Sequence, residues 1–338
     1  MSGNPLPAVG IGRFARGRNA PFAALVVDGA AYPLTQAPRG DTLAIFDIWD
    51  DIWPELAQRV EAIRAGAETG MALGDLDVLP PVVPRQILCA GANYRRHVID
   101  IMTDHSAGSE SGLDSAERRR RAIALMDHRA AAGAPFAFVK AASALAGAFD
   151  TLVVPTDSAQ TDWELELAVV IGRPARRVPR DQALRHVAGY TIANDISARD
   201  HIARPDIPGM GLDFLAGKSC PGFLPLGPLV VPAPLIADPQ DMRLTLRLND
   251  MIMQDESTAD MIFNVARLIE FVSTHILLLP GDVICTGSPA GNGTHFNRFL
   301  RDGDVMRGAI AGLGAQVVPC TAEQVAAGAV LHRPFVPL

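Results

Sequence analysis

The run Trp163-Glu164-Leu165-Glu166-Leu167-Ala168-Val169-Val170-Ile171 sets two carboxylates two residues apart in an otherwise apolar stretch. Its alternation has the period of a β-strand, not of a helix. Residues two apart on a strand share a face, so Glu164 and Glu166 point one way and Leu165, Leu167 and Val169 the other. Beyond Glu166 the acidic face becomes Ala168 and Val170, so the carboxylates lead into a core. Side by side there they repel each other and resist desolvation unless a cation or a shared proton neutralises them. A divalent metal is the simplest remedy, and hard oxygen donors favour Mg²⁺, Mn²⁺ or Ca²⁺ over a thiolate-seeking metal. A second strand-like run, 187–193, ends on Asn194-Asp195 and offers a third carboxylate to the same spot. The alternative is an exposed edge strand with two solvated glutamates.

A chain of 338 residues has room for two domains, and 49% hydrophobic against 20% charged residues supports a packed core rather than long disorder. The net charge of -7 and a pI near 5.6 argue against a nucleic-acid partner and give no attraction to anionic membranes. Cys89, Cys220, Cys285 and Cys320 are scattered with no C-x-x-C pair, which suggests free thiols in a reducing compartment. With no signal-like N-terminus and no apolar run of spanning length, the expected setting is the cytoplasm.

Residues 1–84 read as a small accessory unit, and 85–338 as the main domain. In the first, 22–27 is a strand entering an Asp28-Gly29 turn, a helix is expected around Trp53 to Ala65, and the prolines of 80–84 form a linker. Strand 86–90 then runs into Gly91, and a helix after that turn places His97 and Asp100 three apart on one face, as a base and its orienting partner. Residues 106–112 read as a polar loop, and Asp114 with Glu117 as a capping box for a helix ending near Gly133. The arginines 118–121 sweep around that helix, which reads either as a solvated face or, over 97–134, as a lid. Further strands are expected at 136–140 and 152–155, a short helix at 181–186 and a longer one at 261–274. The density of strand-like runs predicts a mainly β fold with some α, of the α+β class. No P-loop, dinucleotide fingerprint or G-x-S-x-G elbow is present.

In order along the chain stand Gly91-x-Asn93-Tyr94-x-x-His97, Phe138-Val-Lys140, the 163–172 run, Gly189-Tyr-Thr-Ile-Ala-Asn194-Asp195-Ile-Ser-Ala-Arg199-Asp200, Gly217-Lys218-Ser219 and Gly281-Asp282-Val-Ile-x-Thr286-Gly287. Together these blocks resemble the fumarylacetoacetate hydrolase superfamily, in its acylpyruvase-like branch. The resemblance implies a distorted β-sandwich or β-roll around one Mg²⁺ or Mn²⁺ held by Glu164, Glu166 and Asp195. It implies that His97 and Asp100 activate water, that Lys218 holds a substrate oxygen or the oxyanion, and that Arg199 and Thr286 support substrate. It also implies a homodimer. Asp100 stands where most relatives carry Glu, and Ile202 where the nearest carry Gln. A salt bridge to Asp200 or another acid is the structural alternative for Arg199, and an ion pair is the preferred reading of Lys140.

The implied reaction is hydrolysis of a C–C bond in a 2,4-diketo acid such as an acylpyruvate or fumarylpyruvate, in aromatic or sugar-acid catabolism. The metal would stabilise the enolate of the departing 2-oxo acid. The same scaffold serves oxaloacetate decarboxylation and isomerisation of unsaturated 2-hydroxy or 2-oxo diacids. A non-catalytic binding role is the alternative of a different class.

Overall fold

A computed structural model describes residues 6–37, 40–104, 113–207 and 211–332. Near the N-terminus, Val9–Ala15 pairs antiparallel with Phe22–Val27 and with Asp77–Leu79 inside a five-stranded sheet. The Asp28-Gly29 turn has φ of 47° and 89°, the pair of positive values that a two-residue hairpin of right-handed twist requires. Helix Trp49–Arg64 buries Trp49, Ile52, Leu56, Val60 and Ile63, a three-and-four spacing that makes one apolar stripe. This stripe joins the same core as the later strands, and Ile11 bonds Val230 in both directions at 2.8 Å.

The sheet that carries the acidic run has eight strands. Leu165–Ile171 lies inside it, antiparallel both to Val187–Asn194 and to Val283–Cys285; Ile87–Gly91 and then Phe136–Lys140 continue it to one edge. An edge position for the glutamates is therefore excluded: Glu164 is 8% exposed and Glu166 1%. A five-stranded sheet built on Arg243–Leu248, Met251–Ser257, Val305–Ile310 and Gly314–Ala322 covers the other face. It approaches closely, since a Cβ on Gly308 would meet Leu165 Cδ1 at 2.5 Å. The fold is strand-rich α+β, with curled sheets and a small N-terminal sheet, as the sequence predicts.

Helices Arg95–Asp104 and Ser115–Ala132 pack on each other through Ile99, Ala122 and Met126. Asp114 caps the second by accepting from Glu117 N at 2.7 Å. The polar loop expected at 106–112 lies outside the described residues. The four arginines divide their work: Arg118 donates to Thr103 O and Leu113 O, Arg119 pairs with Asp100, and Arg120 and Arg121 pair with Glu117. The later helix begins at Val265, not Met261, because Met261 bridges Tyr94 and Asn264 supplies the cap by accepting from Arg267 N. Among the described residues no helix is long and apolar enough to cross a membrane.

Candidate metal centre

The register of the two acidic strands builds the site. Leu165 faces Asn194, Asp195 N donates to Glu164 O at 2.8 Å, and Glu164 N donates to Asn194 Oδ1 at 2.8 Å. These bonds fix Glu164, Glu166 and Asp195 so that one oxygen from each lies within 4.8 Å of the others. Oxygens on opposite sides of a hard divalent cation stand about 4.2–4.8 Å apart at bond lengths of about 2.1–2.4 Å, so the spacing suits such an ion. Glu166 is also oriented from below, accepting from Gly287 N at 2.7 Å. Gly287 has φ 97°, and a Cβ there would meet Asn93 Cβ at 2.9 Å, so only glycine serves this turn.

Three cations surround the carboxylates. Lys218 Nζ donates to Glu164 Oε2 at 2.5 Å and to Asp195 Oδ2 at 2.7 Å, and Lys140 Nζ reaches Asp195 Oδ1 at 2.5 Å. Arg199 spans Asp162 at 2.9 Å and Glu164 at 2.5 Å. Its acid is thus Asp162 together with Glu164, not Asp200, which accepts instead from Ser158 Oγ and Ala159 N. Lys140 forms the ion pair expected of it, with a candidate ligand as partner. Lys218 sits inside the carboxylate cluster, where the expectation set it against substrate.

Four buried carboxylates, Asp162, Glu164, Glu166 and Asp195, therefore face three paired cations. Burial works to raise the Glu164 carboxyl, but the Arg199 and Lys218 charges prevail and hold it at about 2. Burial and the Asp195 and Glu164 charges instead push Glu166 well above the carboxylate range. Burial opposes the charge on Lys218, yet Asp195 and Glu164 raise it above its ordinary value. Glu166 is thus the carboxylate without a cation of its own, kept protonated unless a hard divalent cation among the three oxygens takes the proton's place. The donor set fits a hard divalent cation.

His97 follows from the turn at Gly91. Asn93 pins that turn to the Glu166 side, donating to Phe263 O at 3.0 Å and to Thr286 O at 2.8 Å. This brings the imidazole into the electrostatic reach of Glu164, Arg199 and Asp100; burial, opposed by Glu164, lowers it to about 4. Asp100 does not hydrogen-bond His97: its oxygens go to Arg119 at 3.1 Å and toward Arg96 at 3.7 Å, because the second helix of the pair brings Arg119 across. Thr286 is buried, and its hydroxyl donates to Leu167 O at 2.9 Å. Ile202 lies against Gly217, where an added Cβ would meet its Cγ1 at 2.1 Å.

Two residues at the site were given no role from the sequence. Asp162 accepts from Trp163 N, Gly293 N, Thr294 N and Thr294 Oγ1 besides Arg199, which ties the loop before Glu164 to 293–294. Its only sequence signal is a carboxylate beside Trp163. Tyr94 is fully buried with its hydroxyl toward Thr286 and, among the described residues, makes no well-formed hydrogen bond; burial and the nearby Glu166 and Asp260 charges raise its phenol.

Known proteins resemble the chain in sequence and in fold. Over residues 86–320 the chain matches the family described as fumarylacetoacetate (FAA) hydrolase C-terminal. It is 40% identical over 183 residues to oxaloacetate tautomerase FAHD2A, mitochondrial, of Bos taurus, covering 53% of this chain and 57% of that one. It is 43% identical over 185 residues to 2,4-didehydro-3-deoxy-L-rhamnonate hydrolase of Sphingomonas sp. (strain SKA58), covering 54% and 63%. The aligned region thus spans a little over half the length of these relatives. A maleylpyruvate hydrolase from Sphingobium sp. SYK-6, solved with manganese(II) and pyruvate, shares the fold at a TM-score of 0.69 and 24% identity, over 93% of this chain and 100% of that one. The chain belongs to the fumarylacetoacetate hydrolase family.

Proposed function

We propose that this protein is a divalent-metal-dependent hydrolase that cleaves a C–C bond in a 2,4-diketo acid. The reading rests above all on the buried Glu164, Glu166 and Asp195 oxygens. It gains support from the hydrolase among the relatives and from the manganese and pyruvate of the Sphingobium enzyme. Glu164, Glu166 and Asp195 hold the cation, Mg²⁺ or Mn²⁺. Bound there, it supplies Lewis-acid stabilisation of negative charge on a 2-oxo acid's oxygens.

The chain's own groups do the rest. His97, neutral because of its burial, takes a proton from water directed at the distal carbonyl. Lys218, protonated between Glu164 and Asp195, offers a charge-assisted donor to oxygen gaining negative charge. Arg199 keeps Glu164 ionised and in place, and Thr286 holds the strand end beside the bound acid. Helices Arg95–Asp104 and Ser115–Ala132 cover the His97 side. The unit of 1–84 serves as an accessory domain, and the protein works as a homodimer in the cytoplasm, a reducing setting that suits four free cysteines.

One observation favours a second reading. Asp100 turns to Arg119 and leaves His97 without an orienting carboxylate, which suits a tautomerase or decarboxylase that needs no activated water. The 40% identity to an oxaloacetate tautomerase points the same way. Turnover of acetylpyruvate, fumarylpyruvate and oxaloacetate, with Mn²⁺ or with EDTA, separates these in wild type and His97→Ala. Hydrolysis requires diketone loss that depends on both the metal and His97. Conversion of oxaloacetate alone, surviving His97→Ala, would establish the second reading.

A further inference from the structure

Strand Phe136–Lys140 and helix Phe214–Lys218 end at the same place. Each terminates in a lysine that pairs with Asp195. On the strand, Phe136, Phe138 and Lys140 share a face, at two-residue steps. On the helix, Phe214 stands one turn before Lys218 on the same side. The rings meet accordingly: Phe138 and Phe214 stack with centroids 4.4 Å apart at 12°, and Phe136 leans on Phe214 at 5.6 Å. Lys218 Nζ lies 5.4 Å from the Phe138 centroid. Exposure falls along the row, from Phe136 at 44% through half-buried Phe138 to Lys140 at 1%. The three rings form an aromatic ramp from solvent to the carboxylate cluster.

We infer that this ramp selects the distal group of the substrate, and that the group is aromatic or otherwise apolar rather than a second carboxylate. The inference rests on the proposed binding of a 2-oxo acid at the carboxylate cluster. Aromatic faces bind rings and alkyl chains and give a carboxylate nothing in return for lost hydration. The cations beside the ramp have other work: Lys140 pairs with Asp195, Arg199 with Asp162 and Glu164, and Lys218, which bridges Glu164 and Asp195, keeps only one donor, the one given above to the reacting oxygen. Arg204, on the loop that leads into Phe214, pairs with Asp206 and Asp213. Aroyl- and alkanoylpyruvates fit this lining, whereas fumarylpyruvate and oxaloacetate carry a distal carboxylate into it.

The test uses two chelating, non-cleavable oxamates with the Mn²⁺-loaded protein: N-phenyloxamate, with a distal ring, and N-oxalylglycine, with a distal carboxylate. Calorimetry should find the phenyl compound bound at least about tenfold more tightly by wild type. Phe214→Ala should reduce that preference to about twofold or less, and Phe138→Leu should weaken it in part. Equal or tighter binding of N-oxalylglycine by wild type, or an unchanged ratio in Phe214→Ala, would overturn the inference. Failure of the hydrolase reading has a different signature: N-phenyloxamate binds with this preference while benzoylpyruvate is not cleaved.

Discussion

Lys218 bridges Glu164 and Asp195, with its ammonium 2.5 Å from one carboxylate and 2.7 Å from the other. A metal held by Glu164, Glu166 and Asp195 would therefore share two of its three ligands with the lysine. Removing the lysine charge relieves repulsion toward an incoming cation, whereas removing a ligand takes away an oxygen. Lys218→Met should bind Mn²⁺ at least as tightly as wild type and lose turnover by about a hundredfold or more. Glu166→Gln should lose Mn²⁺ affinity by roughly a hundredfold. Calorimetric titration with Mn²⁺ reads both, and weaker binding by Lys218→Met would contradict the arrangement.

The depressed His97 has a pH signature of definite sign. Its folded value of about 4 lies below the ordinary 6.5, so the base form persists well into acid. The acid limb of kcat/KM should fall near pH 4 to 5, and an inflection near 6.5 would show an imidazole more hydrated than the structure has it. The stability linkage follows the same direction. The unfolded chain binds a proton near 6.5 and the folded chain does not until about 4, so the contribution is complete above 6.5 and lost as pH falls toward 4. His97→Asn should flatten that part of the melting-temperature profile.

Asp162 carries more structure than its position suggests. It is fully buried and holds Arg199, two backbone N–H groups of 293–294 and the Thr294 hydroxyl. Asp162→Asn should cost about 3 kcal/mol, since it leaves buried donors and a guanidinium short of an acceptor. Asp200→Asn, at the alternative partner of Arg199, should cost about 1 kcal/mol or less. Chemical denaturation of the two variants reads the difference, and equal losses would show that Asp162 is not the anchor.

The strand period at 163–171 reveals the two glutamates, because a two-residue repeat specifies which side chains share a face before any tertiary contact is known. Asp195 was legible for a similar reason, at the end of the strand that pairs with the first. What the sequence hid depends on contacts between distant elements. That Asp100 meets Arg119 depends on how two helices pack, and neither its i,i+3 spacing from His97 nor the arginine run discloses it. The choice of Asp162 by Arg199 likewise arises where the loop before Glu164 crosses 293–294. The phenylalanine row was half visible, as alternate positions of one strand; the ring from 214 that completes it arrives on a helix more than seventy residues later.

Hydrolysis itself is tested most directly by the fate of solvent oxygen. With acetylpyruvate, Mn²⁺ and ¹⁸O-labelled water, attack at the distal carbonyl yields pyruvate and acetate, with the label in the acetate carboxyl. The account predicts labelled acetate from wild type and none from His97→Ala. Interconversion of keto and enol forms without any acetate release would contradict it and make the protein a tautomerase.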